Sequence, residues 1–217
     1  MSDAYHASRL TPDDRRDVVW RALWRFYFSR VVSVDDCVLD LGCGYGNFIN
    51  HVVARRRIAV DNWHGFPAHL APGVEAFVDD VAELDFLPDG GVDFVLASNL
   101  FEHMTRPDFA RVLDRLRPKL SGHGVLTILQ PNYRYAYREY WDDYTHITPW
   151  SDIGLTDFLT ANGYEVLDVV PRFLPLSVKS RLPVSPWLIG AYLAFPFKPF
   201  GKQMLVRARP ATGAERR

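Results

Sequence analysis

The run VLDLGCGYGNF, residues 38–48, sets three glycines on alternate positions directly behind a short apolar segment. Two readings are open for it: a nucleotide held against bare main chain, or a tight turn and nothing more. Working outward, the apolar runs CVLDL, RIAVD, VEAFV, VDFVLAS, GVLTILQ, YEVLDVV and QMLVRAR alternate with longer helix-compatible stretches. Seven strands are thereby predicted. Near-continuous Val, Ile and Leu suit strands covered on both faces, and helices over 107–117 and 151–162 supply covering layers. The fold class is α/β, a Rossmann-like doubly wound sheet, mostly parallel, with helices on both faces.

The 217 residues are 48% hydrophobic and 24% charged, material for one well-buried core. A single domain over 1–210 is expected, and the small polar tail at 211–217 reads as disordered. A formal net charge of −1 gives no general pull toward phosphates, so nucleic acid is excluded as the main partner. The only cysteines, Cys37 and Cys43, are too few and too close for a disulfide framework. Metal-ligand spacing is not visible, and no metal is expected. The start MSDAYHASRL lacks the basic and apolar parts of a signal peptide, and no stretch reaches the roughly 20 apolar residues a membrane span needs. A cytoplasmic protein is the expectation.

The segment TPDDRRDVVWRALWRFYFSRVV predicts an N-terminal helix over 11–32, with Thr11 as N-cap, Pro12 at the first helical position and acids in the first turn. Trp20, Trp24, Tyr27 and Phe28 fall at helical spacing, either for core packing or to line a pocket.

In an open α/β sheet, ligands bind beyond the carboxyl ends of the strands where strand order reverses, and the first strand normally lies at that point. Gly42, Gly44 and Gly46 remove side chains where the chain turns sharply into a helix, opening main-chain N–H groups to a ligand. The spacing departs from the dinucleotide fingerprint, because Asn47 stands where its third glycine belongs. Asp40 would repel a pyrophosphate and suits a cationic ligand instead. Asp61 ends the second strand, where a carboxylate can accept both hydroxyls of a ribose; either aspartate could equally be a cap or turn residue. Further on, Asp80 could accept from an exocyclic amine while Val81 offers a backbone N–H to a purine, and the fourth strand breaks into the polar SNLFEHM.

Taken in order, VLDLGCGYGNF, AVD, VDDVAEL, VDFVLASNLFEH and GVLTILQPN resemble the class I S-adenosylmethionine-dependent methyltransferases. The resemblance runs over about 37–170 and, through the last strand, reaches 209. It implies a seven-stranded sheet whose last strand is antiparallel. It implies S-adenosylmethionine as cofactor and S-adenosylhomocysteine as product. By position, Asp40 and the loop of Gly42, Cys43, Gly44 and Gly46 would hold the methionine part, Asp61 with Asn62 the ribose, and Asp80 with Val81 the adenine. Ser98 and Asn99 would lie beside the methionine amino group and the methyl. The pair Glu102 and His103 fits a common pattern of the family with a structural role, and stays outside the catalytic set.

Methyl transfer from a sulfonium is an in-line displacement, governed by positioning and the exclusion of water. A hydroxyl acceptor must also lose its proton, for which a histidine is suited. The stretch QPNYRYAYREYWDDYTHITPWS packs five tyrosines, two tryptophans, two aspartates and His146 into 22 residues. Such a connection reads as a binding loop or lid, here an acceptor-side loop over 131–150. His146 is the candidate base, or else a histidine that fixes the loop. Tyr133, Arg134, Tyr137, Tyr140, Trp141, Asp142 and Tyr144 are the candidates for acceptor binding, as platforms for sugar rings or as lid packing.

An insert over 172–202 precedes the last strand, with WLIGAYLAF flanked by prolines and by Lys179, Arg181, Lys198 and Lys202. Nine residues are too few to span a bilayer, leaving three readings: a lid, a homodimer contact through 182–200, or peripheral contact with an anionic inner membrane face. The succession YWDDYTHITPWS, RFLPLSVKSRLP and GKQMLV resembles a bacterial subgroup of these methyltransferases that occurs with enzymes of surface-polysaccharide synthesis. That resemblance implies O-methylation of a sugar or glycan-linked acceptor. Three alternatives stay open: a small metabolite, lipid or quinone acceptor; a non-catalytic partner subunit; and a nicotinamide-dependent oxidoreductase, against which Asn47 and Asp40 argue.

Overall fold

A computed structural model describes residues 13–175 and 185–212. The described chain divides into two compact units, one holding residues up to Val81 with 185–198, the other 82–175 with 199–212. The strands are β1 (Cys37–Leu41), β2 (Arg56–Asp61), β3 (Val74–Val78), β4 (Val92–Ser98), β5 (Leu120–Pro131), β6 (Tyr164–Pro175) and β7 (Gly201–Pro210). They form one seven-stranded sheet in the order β3-β2-β1-β4-β5-β7-β6. β1 with β2, β2 with β3 and β4 with β5 pair in parallel, whereas β7 runs antiparallel to both β5 and β6. The doubly wound sheet with an antiparallel last strand is therefore as expected. β1 is buried at all five positions, and the near-continuous apolar run of β4 is buried from Phe94 to Ala97.

In the first unit, α1 (Asp14–Phe26) and a 3-10 turn at Phe28–Arg30 replace the expected continuous helix over 11–32. Its N-cap is Asp13, whose side chain accepts from the Arg15 N–H. The expected cap Thr11 and Pro12 lie outside the described residues. The aromatic spacing resolves as packing: the rings of Trp20, Trp24 and Phe28 lie 5.7, 6.5 and 5.1 Å from that of Phe48. A second correction concerns the chain after the glycines, where the expected helix is only a three-residue 3-10 turn, Ile49–His51. The reason is local: β2 begins at Arg56, and Val52 is already extended at φ −67°, ψ 133°. The His51 Nε2 meets Asp17 of α1 at 2.8 Å.

Part of the insert is now placed. Residues 186–194 form α5 (Pro186–Ala194), packed on α1 through the Phe26 and Trp187 rings at 5.9 Å and the Arg25 guanidinium over Trp187 at 4.9 Å. Gly190 makes room, since a Cβ there would lie 2.9 Å from the Phe26 ring. The helix stays largely open to solvent all the same, with Trp187 67% and Leu188 59% exposed. Lys179, Arg181 and residues 182–184 of the insert, and 213–217 of the tail, lie outside the described residues. Among the described residues no helix is long and apolar enough to cross a membrane.

In the second unit, α2 (Arg106–Leu116) is capped by Thr105, whose hydroxyl accepts from the Asp108 N–H at 3.3 Å. It buries Phe109, Val112, Leu113 and Leu116, an i, i+3, i+4, i+7 stripe contributing about 1.5–3 kcal/mol per large apolar side chain. Next come the one-turn α3 (Tyr133–Ala136) and α4 (Asp152–Ala161), the latter capped by the Ser151 hydroxyl on the Gly154 N–H at 3.0 Å. α4 stops before Gly163, which sits at φ 76°.

Candidate functional site

The glycine loop is built on left-handed backbone. Gly42, Gly44 and Gly46 have φ of 75°, 52° and 67°, values that cost a residue with a Cβ about 1–2 kcal/mol each. At Gly46 space also forbids a side chain, because a Cβ would fall 2.5 Å from Leu70 Cδ2. The loop is tied to β2 by the Gly42 and Cys43 N–H groups, which both donate to the Val60 carbonyl, at 2.9 and 3.2 Å. Beyond it, the Asn50 amide donates to the His69 carbonyl and accepts from the Ala71 N–H, at 2.9 and 2.7 Å.

Both expected aspartates are there, and both are buried. Asp61 at the end of β2 accepts the Gly44 N–H on one oxygen and the Trp63 N–H on the other, each at 2.9 Å. The carboxylate thus holds the glycine loop and the next turn together, and each oxygen keeps a second lone pair. Asp40 is 3% exposed. Burial pushes its carboxyl up to about 8, Asp61 adding to the rise while the Ile49 N–H opposes it. An uncompensated carboxyl in such a place takes up a proton, and a cation beside it restores the charge. Burial, then Asp40 and Asp61, push the Cys43 thiol well above its ordinary range, so it is no nucleophile.

Of the expected adenine pair, Asp80 is exposed and Val81 buried, just beyond β3, where the Asp79 N–H donates to the Asp61 carbonyl at 3.1 Å. Asn62 is exposed. An aromatic group unmarked by sequence reasoning joins the glycine loop to the chain after β2: Tyr45 lies 4.8 Å from Trp63 and 4.7 Å from His69, and the Trp63 and His69 rings stack at 5.5 Å. The signal available was an aromatic inside the glycine loop and another two residues past Asp61.

In the second unit, Ser98 ends β4 and Asn99 takes the left-handed conformation at φ 49°. The Asn99 N–H donates to the Leu129 carbonyl at 2.8 Å, and its side-chain oxygen accepts from Gln203 at 3.1 Å. The 3-10 turn Phe101–His103 follows, and here the structure gathers groups that sequence reasoning kept apart. Glu102 is fully buried, and among the described residues neither carboxylate oxygen has a hydrogen-bond partner. Burial pushes it up to about 8, with Asp143 adding to the shift. The Glu102 carbonyl accepts the Ile147 and Thr148 N–H groups at 2.8 and 3.1 Å, fastening the 143–148 loop onto the turn. His146 therefore lies against His103, ring centroids 4.9 Å apart. Burial, then the His146 ring, push His103 down to about 4.

The expected acceptor residues separate into two sets. Tyr140 takes the packing alternative: it is fully buried, with its hydroxyl donating to the Thr148 carbonyl at 2.6 Å and its ring 4.5 Å from that of His146. It packs the loop and cannot present a platform to an acceptor. Tyr133 packs edge-on against it at 5.2 Å. The Arg134 guanidinium is spent on Asp152, at 3.0 Å, beside the Asn132 amide on the same carboxylate at 2.8 Å. By contrast Tyr137, Trp141 and Tyr144 are 52%, 52% and 71% exposed, and Asp142 is exposed beside them.

Residues 14–169 match the family described as a methyltransferase domain. Over 125 residues the chain is 31% identical to trans-aconitate 2-methyltransferase of Rhizobium rhizogenes, 54% of this chain and 47% of that protein. The match thus spans about half the length of that curated relative. Among solved structures, a SAM-dependent methyltransferase from Archaeoglobus fulgidus superposes with a TM-score of 0.67 at 22% identity, covering 94% of this chain and 97% of that one. The 1,6-didemethyltoxoflavin-N1-methyltransferase of Burkholderia thailandensis, solved with S-adenosylhomocysteine, superposes with a TM-score of 0.63 at 18% identity, covering 96% and 84%. At such identities the likeness is one of fold.

Proposed function

Since the chain belongs to the methyltransferase-domain family, we propose that it transfers the methyl group of S-adenosylmethionine to a hydroxyl of a sugar or glycan-linked acceptor. The observation that carries the cofactor half is the pair of buried carboxylates, Asp40 and Asp61, flanking a loop of three left-handed glycines at the ends of paired parallel strands. Asp40 is a buried carboxyl that regains its charge beside a cation, and the methionyl part of S-adenosylmethionine brings an ammonium and a sulfonium. The remaining lone pairs of Asp61 take the ribose hydroxyls, with Asn62 beside them. Asp80 and Val81 take the adenine, with Tyr45, Trp63 and His69 as its aromatic surroundings. Ser98 and Asn99 serve the methionine end.

The acceptor half rests on the second unit's 133–148 segment. Exposed Tyr137, Trp141 and Tyr144 are rigid amphipathic surfaces suited to the apolar faces of sugar rings, and Asp142 to their hydroxyls. The acceptor's proton leaves through the polar cluster that His146 shares with Glu102 and His103. A second reading, a small-metabolite acceptor, is favoured by the trans-aconitate and toxoflavin relatives.

Calorimetric titration with S-adenosylmethionine and S-adenosylhomocysteine tests the first half, with NADH as the control ligand. Micromolar binding of both and none of NADH is expected, and absence of binding by either would overturn the reading. A screen of nucleotide sugars, lipid-linked glycans and small carboxylic acids for S-adenosylhomocysteine release then tests the second. Turnover on the acids alone would move the assignment to the metabolite reading.

A further inference from the structure

Glu102, His103 and His146 each place a ligand atom within 4.8 Å of the others. We propose that these three side chains are the ligand set of a divalent first-row metal ion, with positions left open for water or an acceptor hydroxyl. Sequence spacing predicts no metal here, because two ligands are adjacent in the chain and the third arrives on a distant loop.

Three independent features converge on it. The first is Glu102 itself. A fully buried carboxylate with neither oxygen hydrogen-bonded among the described residues leaves its desolvation uncompensated, and a cation between it and the imidazoles removes that cost. The second is the orientation of the two rings. His103 Nδ1 lies 3.1 Å from the Thr145 carbonyl and His146 Nδ1 lies 2.5 Å from the Tyr140 carbonyl. A carbonyl only accepts, so each Nδ1 carries the proton and each Nε2 the lone pair. Imidazoles that ligate metals are held by this kind of second bond. The third is the way the parts are fastened together. The Glu102 carbonyl takes the N–H groups of Ile147 and Thr148, the two residues after His146, so the first ligand's own backbone fixes the third ligand.

Geometry and charge agree with an ion. Ligand atoms about 2.1 Å from a tetrahedral metal lie about 3.4 Å apart, so groups within 4.8 Å of one another need to close by at most about 1.4 Å, within reach of side-chain rotation. Asp143, whose carboxylate accepts from the Thr145 N–H at 3.0 Å and hydroxyl at 2.6 Å, supplies a second negative charge that balances a divalent ion with Glu102. Two imidazoles and one carboxylate suit zinc, manganese or iron(II) over magnesium, which prefers all-oxygen shells.

The ion's chemical job rests on the O-methyl reading. An acceptor hydroxyl bound at the open position is acidified and releases its proton to solvent water. Its oxygen then forms the O–CH₃ bond as the S–CH₃ bond breaks, and S-adenosylhomocysteine leaves. His146 acts there as a ligand through which the proton's departure is made easy.

The test is binding, kept separate from turnover. The full chain, stripped with chelator, is titrated calorimetrically with zinc and manganese chlorides, and cobalt(II) is added to read visible absorption from a site with nitrogen ligands. About one equivalent should bind, Glu102→Gln and His146→Ala should each weaken binding about 100-fold or more, and Thr145→Ala, which loosens Asp143, should weaken it by about 10-fold. S-adenosylhomocysteine affinity serves as the fold control in every variant and fails independently if the cofactor reading is wrong. No binding by the parent chain, or binding undiminished in both ligand variants, overturns the proposal.

Discussion

Replacing Asp61 by alanine removes a carboxylate that joins the glycine loop to the turn after β2, and the size of the loss can be worked from two bonds. The Gly44 N–H donates to one oxygen in a buried setting and the Trp63 N–H to the other in a partly buried one, both at 2.9 Å. Hydrogen bonds to a charged group contribute about 1.5–3 kcal/mol each. With both bonds at the low end of that range, the sum is about 3 kcal/mol. For a chain of this length that lowers the thermal midpoint by about 6–12 °C. Asp61→Asn keeps one carbonyl acceptor but sets an amide N–H₂ against the other donor, so it should lose about half as much. Both variants should lose affinity for S-adenosylhomocysteine, the asparagine disproportionately so for its small effect on stability, because a ribose needs the carboxylate's acceptors. Scanning calorimetry with and without ligand reads both quantities. An alanine variant melting within about 2 °C of the parent would refute the bridging role, and an asparagine variant with parental affinity would refute the ribose assignment.

Asp40 gives a pH signature. Burial holds its carboxyl at about 8 against about 3.9 in an unfolded chain, so the native state keeps a proton that the unfolded state gives up. That contribution to stability is complete below about pH 4 and is lost as the pH rises to about 8. Asp40→Asn should therefore flatten the decline in thermal midpoint across that range, and an unchanged slope would place the titration in another group. Tyr140 and Tyr144 separate packing from acceptor contact. Tyr140→Phe loses a buried 2.6 Å bond and should cost about 1 kcal/mol of stability in a denaturant titration. Tyr144→Ala, on a side chain 71% exposed, should leave stability alone and raise the acceptor's KM; the opposite pattern would exchange their roles.

Strands were legible because what makes them is local. CVLDL, VEAFV and VDFVLAS carry their own pattern, and the structure places β1, β3 and β4 on those residues. Where partners decide, the ends moved. β6 runs on through Pro171 to Pro175 because β7 pairs with it across three irregularities in register, reaching Gly201 opposite Pro175. β5 starts back at Leu120, across Ser121, Gly122 and His123, because Leu120 pairs with Val92. No hydrophobic period marks either extension. The glycine loop was legible for the same local reason as the strands, since three positive φ angles need three glycines. The helix expected after it was not, because its absence depends on how soon β2 begins.

The polar cluster shows what a linear pattern conceals. Glu102 follows a buried phenylalanine and precedes a histidine, and on residue type alone an acid in a polar break reads as solvated. Two things bury it. The 3-10 turn at Phe101–His103 aims its side chain away from solvent, and a loop some 40 residues later closes over it by donating two N–H groups to its carbonyl. Tyr140 is concealed for the complementary reason. It sits in a segment with no apolar period, yet its hydroxyl finds the Thr148 carbonyl in the same loop, so the ring can be buried without leaving a polar atom unpaired. In both residues burial is set by where a backbone donor or acceptor arrives from elsewhere. A loop rich in tyrosine and histidine is therefore read correctly only once its main-chain hydrogen bonds are known, and it is those bonds that separate the packed Tyr140 from the exposed Tyr144 four residues on.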